Sequence, residues 1–235
     1  MKDKDAILHV HDLTKIYKLG NVDVPALRGI TLHVEKGEFV AITGPSGCGK
    51  STFMHLIGCL DRPTRGEIFL EDVKVSTLDD DALASIRNKM IGFVFQSFNL
   101  LPKMSALKNV ELPLYYYGVS KDQREKKAME MLKIMGLENR VTHKPTEISG
   151  GERQRIAIAR ALINNPRIML ADEPTGNLDT KTSEDIMKEF QQLNDKGVTI
   201  IIVTHEADIV RYTKRVVRLR DGKVVDDEKL EQKRL

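Results

Sequence analysis

Residues 44–52 read Gly-Pro-Ser-Gly-Cys-Gly-Lys-Ser-Thr and lie between an apolar run, 39–42, and a helical-looking stretch, 52–60. This order of strand, glycine loop and helix fits the phosphate-loop pattern G-x-x-x-x-G-K-[ST]. Glycine lets the backbone wrap closely around phosphate oxygens, and the following helix adds unpaired N–H donors and the positive end of its dipole. The segment therefore predicts a nucleotide-binding unit of an α/β fold. A flexible glycine turn without a ligand is the disfavoured alternative.

Each residue of this loop has an expected task. Lys50 should reach the β- and γ-phosphates, and the Ser51 hydroxyl is placed for Mg²⁺, which keeps several waters and takes few protein ligands. Thr52 is expected on the α-phosphate side. The loop thus predicts the following nucleotide-contacting residues: Gly44, Ser46, Gly47, Cys48, Gly49, Lys50, Ser51 and Thr52.

The hydrophobic pattern predicts two kinds of sheet. Residues 6–40 alternate apolar and polar positions, which indicates antiparallel strands. Short apolar strands at 39–42, 91–95, 168–171 and 198–203 alternate with helical patterns, which indicates a mainly parallel, buried sheet. A length of 235 residues fits one large α/β domain.

Polar side chains follow three of the apolar strands. Asp172 and Glu173 come directly after strand 168–171, His205 follows strand 198–203, and Gln96 follows strand 91–95. Ligands bind at the carboxyl ends of parallel strands, so these side chains should meet near the phosphate loop. We expect Asp172 to help hold Mg²⁺, Glu173 to orient or deprotonate an attacking water, and His205 to contact the γ-phosphate or Glu173. Gln96 should sense the metal or the water through its amide.

Charge and cysteine content exclude several classes. Lys and Arg number 37 against 34 Asp and Glu, and the charges are interspersed, so no nucleic-acid partner is expected. Cys48 and Cys59 lack zinc or redox spacing, and no apolar stretch is long enough to span a membrane, which favours a reduced, cytosolic protein. The acidic run 79–81 is interpreted as the start of a helix, with a metal cluster as the alternative.

Residues 148–152, Ile-Ser-Gly-Gly-Glu, form a second candidate anion site at the start of a long helix. Ser149, Gly150 and Gly151 would present backbone N–H donors there. One chain cannot direct both this site and the phosphate loop to the same γ-phosphate unless the two approach from opposite sides. Two chains that sandwich ATP between them would satisfy that requirement.

Together these strings resemble the ATP-binding-cassette ATPases over nearly the whole chain. The resemblance implies a single domain, 1–235, with a P-loop core, an antiparallel β-subdomain and an inserted helical subdomain at about 97–160. It also implies that two cassettes pair head to tail around two ATP molecules, with Tyr17 on the adenine and Asp179 in a loop that crosses the interface. In this arrangement the residues that touch the partner's γ-phosphate are Ser149, Gly150, Gly151 and Glu152. At residues 148–152, two positions differ from the signature sequence that is usual in this family: Ile148 replaces leucine, and Glu152 replaces glutamine.

Shorter strings around Tyr17 and in residues 95–100 resemble the lipoprotein-releasing and macrolide-export type of cassette. That resemblance implies an ATP hydrolase at the cytoplasmic face of the inner membrane that drives a permease through the loop after Gln96. Phe98, Leu100, Leu101 and Met104 are the expected apolar contacts. A cell-division or signalling cassette with a non-transporting partner is the main alternative. A DNA or ribosome cassette and a small-molecule kinase are disfavoured.

Overall fold

The computed structural model describes residues 6–235 and contains two β-sheets and seven α-helices within that range. The strands are β1 (Ala6–Leu19), β2 (Val22–Glu35), β3 (Phe39–Thr43), β4 (Arg65–Leu70), β5 (Val73–Lys74), β6 (Ile91–Phe95), β7 (Ile168–Asp172), β8 (Thr199–Val203), β9 (Arg215–Arg220) and β10 (Lys223–Lys229). The helices are α1 (Lys50–Ile57), α2 (Asp80–Met90), α3 (Ala106–Tyr116), α4 (Lys121–Ile134), α5 (Gly150–Leu162), α6 (Thr180–Asp195) and α7 (Ala207–Val210).

The larger sheet has six strands in the order β10-β9-β3-β8-β7-β6. All neighbours are parallel except the edge pair β9 and β10. Its central strands are apolar on both faces: Ile201 and Val203 of β8 face one core cluster, and Ile200 and Ile202 face another. The strands therefore read as continuous apolar runs in the sequence.

The smaller sheet is antiparallel, with the order β2-β1-β4-β5. Leu8 and Val10 of β1 pack in the same cluster as Val40 and Ile42 of β3, so this sheet covers one face of the large sheet. Burial alternates regularly along β2 over residues 30–35, which explains the apolar–polar pattern there. The fold class predicted from the sequence, an α/β P-loop core with a mainly parallel sheet, an antiparallel sheet and helices, is confirmed.

Helices α3, α4 and α5 lie between β6 and β7 in the chain and share a core cluster of their own, which includes Val110, Leu132 and Ile156. The opposite side of α5 packs on the large sheet, where Ile158 joins the cluster of Met169 and Ile200. Helix α5 thus connects the helical layer to the sheet.

The acidic run at 79–81 starts a helix, as the sequence indicates. Asp79 is the N-cap of α2, and its carboxylate accepts a hydrogen bond from the Ala82 amide at 2.8 Å. Over residues 6–235, no group of three His, Cys, Asp or Glu side chains is arranged to hold a metal ion. Within the same range, no helix is both long and apolar enough to cross a membrane.

Candidate active site

The phosphate loop connects β3 to α1 at the carboxyl edge of the large sheet, and two of its glycines are required by close contacts. Gly44 has a φ of 151°, and a Cβ there would lie 2.1 Å from the Leu219 carbonyl oxygen. Gly49 has a φ of 104°, and its Cβ would lie 2.6 Å from the Ala26 carbonyl oxygen. Only glycine allows the loop to pass this close to neighbouring backbone.

Lys50 lies inside the curve of the loop, with 8% of the residue exposed. Its ammonium donates hydrogen bonds to the carbonyl oxygens of Gly44 at 2.8 Å and Pro45 at 3.0 Å. Cys48 is buried, and its sulfur lies 3.9 Å from the same ammonium, so its side chain faces the core. Any contact of Cys48 with a nucleotide is therefore left to its backbone.

A 500 Å³ cavity opens over the loop. Its lining consists of Ala26, Ser46, Gly47, Gly49, Lys50, Ser51, Thr52, Glu173 and His205. All of these except Ala26 are residues that the sequence predicts at the site. Ala26 was missed because it carries no chemical group; it lies on β2, which passes beside Gly49.

Two carboxylates stand at the end of β7. Asp172 is partly buried, and burial together with the charge of Glu173 raises the pKa of its carboxyl group. Glu173 follows with its amide donating to the Val203 carbonyl oxygen of β8 at 2.8 Å. Glu173 Oε1 lies 2.6 Å from Nδ1 of His205, so the two strand-end side chains meet at the rim of the cavity.

Gln96 lies farther along the same edge, after strand β6. Its carbonyl oxygen accepts a hydrogen bond from the Asn177 side-chain amide at 2.8 Å. Its own amide packs so closely on Gly176 that a Cβ on that glycine would lie 2.6 Å from Nε2. Gln96 thus contacts the turn after Glu173 and is absent from the cavity lining.

Tyr17 lies on β1 beside the start of the loop helix. Its hydroxyl donates to Asp61 Oδ2 at 3.0 Å, and burial is the main cause of its raised pKa. The Lys15 ammonium lies 4.9 Å from the centre of the ring. The ring is part exposed next to Thr52 and is fixed by these neighbours.

Residues 149–152 form the first turn of α5 outside the 500 Å³ cavity of the same chain. Ser149 is the N-cap, and its Oγ accepts from the Glu152 amide at 3.3 Å. Glu152 Oε2 accepts from the Ser149 amide at 2.8 Å, and this bond, together with Arg140, lowers the pKa of the Glu152 carboxyl to about 2. This turn packs on the segment that ends at Asp179, because a Cβ on Gly150 would lie 3.1 Å from Leu178.

Asp179 is the N-cap of α6. Its carboxylate accepts from the Thr182 amide at 3.0 Å and from the Thr182 hydroxyl at 2.6 Å, and both bonds lower its pKa. The structure therefore holds Asp179 beside the first turn of α5, since a Cβ on Gly151 would lie 2.7 Å from Thr182 Cγ2.

A second cleft of 850 Å³ lies on the helical side of the molecule. Phe93 and Phe95 of β6 line one part of it, and Tyr116 and Tyr117 at the end of α3 line another. Three cationic side chains also line the cleft: Arg87, Lys89 and Arg160. This cleft was not predicted from the sequence, although three consecutive tyrosines at 115–117 in a polar chain indicate exposed aromatic surface.

The geometry of the site indicates a nucleotide-hydrolysing class of protein. A glycine-rich anion cradle, a lysine held inside it and a strand-end glutamate bonded to a histidine are the parts needed to bind a nucleoside triphosphate and hydrolyse it. The family model described as ABC transporter matches residues 27–176. The chain therefore belongs to the ABC transporter family of ATP-binding proteins, and it is an ATPase.

Similar proteins agree with this assignment. An ABC transporter ATP-binding protein of Thermotoga maritima is 52% identical over 218 residues, which is 93% of each chain. The macrolide export ATP-binding/permease protein MacB of Bdellovibrio bacteriovorus is 51% identical over 96% of this chain and 34% of its own length. The solved dimer of the ATP-binding cassette MJ0796 of Methanocaldococcus jannaschii, bound to ADP and Pi, superposes with a TM-score of 0.88 and 48% identity, covering 96% of this chain and all of that one. The predicted resemblance, including the macrolide-export type, is confirmed.

Proposed function

We propose that this ATPase works as a head-to-tail pair that encloses two ATP molecules and drives a membrane partner. The main support for this pairing is that the first turn of α5 lies outside the phosphate-loop cavity of its own chain. A second copy, turned head to tail, would bring its Ser149 and the following glycines to the open side of that cavity. The solved cassette MJ0796, which is similar over nearly the whole chain, is a dimer.

The residues present fit Mg²⁺. Ser51 lines the cavity, and Asp172 ends β7 directly before Glu173, close enough to Lys50 to feel its charge. Both side chains offer oxygen ligands, and Mg²⁺ needs only one or two protein ligands beside phosphate oxygens and water. When bound, the ion neutralises charge on the phosphates. Its charge would also favour the ionised form of Asp172, whose pKa is raised without it.

Hydrolysis follows from the remaining side chains. Lys50 would leave its carbonyl partners for the β- and γ-phosphates, and Glu173 would accept a proton from the water whose oxygen attacks the γ-phosphorus. The bond from the γ-phosphorus to the bridging oxygen breaks, and ADP leaves. His205 holds Glu173 Oε1 and keeps the carboxylate directed at the water. Gln96, next to the turn after Glu173, would report the state of the site to the loop that follows it.

The membrane partner would bind in the 850 Å³ cleft. Asn99, in the loop after Gln96, is one of the residues that line this cleft. The aromatic rings and the three cations suit a short helix with apolar and acidic side chains. Of the four apolar side chains expected to contact the partner, Leu101 and Met104 are exposed, but Phe98 and Leu100 are only half-exposed. Phe98 lies under Arg153, and Leu100 packs against the helical core.

In this proposal the chain is a single domain, 1–235, in which residues 97–160 form the helical subdomain. The protein would lie at the cytoplasmic face of the inner membrane. Export of lipoproteins, macrolides or peptides is the proposed task, supported by the similarity to MacB. A cell-division or signalling complex would use the same cassette with a non-transporting partner. The identity of the membrane protein that copurifies with the cassette distinguishes these two tasks.

The pairing is tested by light scattering on the wild type and on Glu173→Gln, each with and without ATP. The variant keeps the shape of the side chain but removes the proton acceptor, so it should dimerise with ATP and lose turnover by at least about 100-fold. Wild type without ATP is the matched control and should be monomeric. A variant that stays monomeric at saturating ATP, or that retains turnover, would contradict the pairing or the role of Glu173, respectively.

A further inference from the structure

The first turn of α5, residues 149–152, is called the signature turn from here on. It contains a carboxylate close to the place where a partner's γ-phosphate would bind. Glu152 Oε2 accepts hydrogen bonds from both the Ser149 amide, at 2.8 Å, and the Ser149 hydroxyl, at 2.9 Å. The same hydroxyl oxygen accepts from the Glu152 amide. The single proton of this hydroxyl is therefore directed to Glu152, which competes with a phosphate oxygen for it.

An unpaired carboxylate in this position would work against phosphate binding. Its charge lies within one helical turn of N–H groups that would otherwise attract an anion, so it offsets the positive end of the α5 dipole. A phosphate carrying several negative charges would meet repulsion there. Glu152 is not unpaired, because Arg140 Nε donates to Glu152 Oε1 at 2.7 Å.

Arg140 reaches Glu152 from a separate element, the short 3₁₀ turn Glu138–Arg140, which follows α4. Its guanidinium binds the carboxylate oxygen that the serine does not use. This arrangement does two things at once: it neutralises the charge of Glu152, and it fixes the carboxylate with Oε1 on Arg140 and Oε2 on Ser149. No residue of the phosphate loop takes part.

We propose that Arg140 is a positioning residue for ATP-driven pairing, which keeps the Glu152 carboxylate neutralised and bound to Ser149 so that the signature turn accepts the γ-phosphate held by a second copy. The inference rests on the proposed head-to-tail pair. It predicts that removing Arg140 harms ATP use only when the charge of Glu152 is present.

The test is a double-mutant cycle with Arg140→Gln, Glu152→Gln and the double variant, in which the KM for ATP and kcat are measured. Arg140→Gln should raise the KM about 5-fold with a smaller change in kcat, because an uncompensated charge opposes binding. In the Glu152→Gln background the same change should leave the KM within about 2-fold. Arg140→Lys should restore most of the loss, since it returns the charge.

Two controls separate this role from a general effect on folding. Arg155→Gln removes another arginine of the same region, which binds Glu189 at 2.6 Å, and should leave the KM unchanged. Thermal unfolding of every variant reports stability. If Arg140→Gln raises the KM equally in both backgrounds, or not at all, the proposal is overturned.

Failure of the pairing itself is recognised separately. In the Glu173→Gln background, light scattering gives the ATP concentration at which half of the protein is dimeric. Arg140→Gln should raise that midpoint by the same factor as the KM. If the parent Glu173→Gln does not dimerise at any ATP concentration, the head-to-tail pair fails and this inference fails with it. An unchanged midpoint in a parent that dimerises rejects the role of Arg140 alone.

Discussion

Glu173 combines an uncommon backbone conformation with the chemistry expected of the site. Its φ of 44° lies in the left-handed region, which costs free energy for residues other than glycine. The conformation is held from two sides, by the bond from its amide to Val203 and by the bond from the Gly176 amide to its own carbonyl oxygen. The turn directs the side chain to His205 at the cavity rim, so strain in the backbone is coupled to the position of the carboxylate.

At this scale we predict that His205→Ala lowers kcat about 100-fold and changes the KM for ATP little. His205 contacts Glu173 at 2.6 Å and would hold the carboxylate at the attacking water, where a misplacement of about 1 Å has an effect of this order. Steady-state ATPase assays measure both constants. His11→Ala, a change on strand β1 outside the cavity lining, is the control and should match the wild type.

A normal kcat in His205→Ala would show that Glu173 is oriented without the imidazole. A large rise in the KM with kcat retained would assign His205 to phosphate binding instead. The sequence left both contacts open, since a histidine at a strand end can meet either. The structure supplies the distance to Glu173, which strand order alone does not give.

Among the elements, α5 has a first turn that contains a carboxylate with a lowered pKa. The cap pair joins Ser149 and Glu152, and the pKa of the Glu152 carboxyl is lowered to about 2 by the Ser149 amide and by Arg140. An ordinary glutamate in an unfolded chain titrates near 4.3. A carboxyl with a lower pKa in the folded state stabilises the fold fully above the unfolded value, and this stabilisation is lost as the pH falls toward 2.

We therefore predict that Glu152→Gln is less stable than the wild type by about 1 kcal/mol at pH 7 and that this difference shrinks as the pH falls from about 5 to about 2. Urea unfolding at a series of pH values gives the free energy of unfolding. Glu130→Gln removes an exposed carboxylate of α4 and serves as the control, with no comparable change. A difference that stays constant with pH would mean that the Glu152 carboxylate contributes no charge-dependent stability.

Most elements could be predicted from the sequence, because their patterns are local. The apolar runs of β3, β6, β7 and β8, and the caps Asp79 and Ser149, are visible without a structure. What the sequence does not specify is which distant residues meet. Arg140 lies in a polar turn with no periodic pattern, so its contact with Glu152 could not be inferred, and the two-residue strand β5 is too short to leave a signal.

For the whole molecule, the 850 Å³ cleft is the surface that we propose for the membrane partner. It lies between β6, α2 and the ends of α3 and α5, so its walls come from both the sheet and the helical layer. From the sequence, the partner is expected to contact the loop after Gln96, and this loop contributes Asn99 to the lining of the cleft. The aromatic wall formed by Tyr116 and Tyr117 could not be predicted from the sequence, because it depends on where α2 and α3 lie in the fold.

We predict that a photo-crosslinker placed at Tyr116 captures the membrane partner in native membranes, whereas one placed at Tyr115 captures much less. Both side chains are exposed, at 73% and 59%, but only Tyr116 lines the cleft. The two rings touch each other, so either replacement removes that ring contact, and replacing Tyr115 also removes its contact with the Arg124 guanidinium, 5.3 Å from the ring centre. Mass spectrometry of the crosslinked band identifies the partner and the attached segment.

Equal capture at both positions would place the membrane partner elsewhere on the helical layer. Capture at Tyr116 of a segment that lacks acidic residues would reject the charge complementarity with Arg87, Lys89 and Arg160. Basal ATPase activity of both variants should equal that of the wild type, because neither tyrosine lies in the nucleotide cavity.

Helix α5 carries functional contacts at both of its ends. Arg160, near its last turn, donates to the carbonyl oxygens of Asn99 and Phe98 at 2.6 and 2.8 Å, and Ser149 stands at its first turn. Its 13 residues form a rod about 20 Å long that rests on the sheet near Ile158. If this helix moves on the sheet as a rigid body, a displacement of the loop at its last turn would also displace its first turn. In the proposed complex, the membrane partner and the second ATPase subunit would therefore act on opposite ends of one helix.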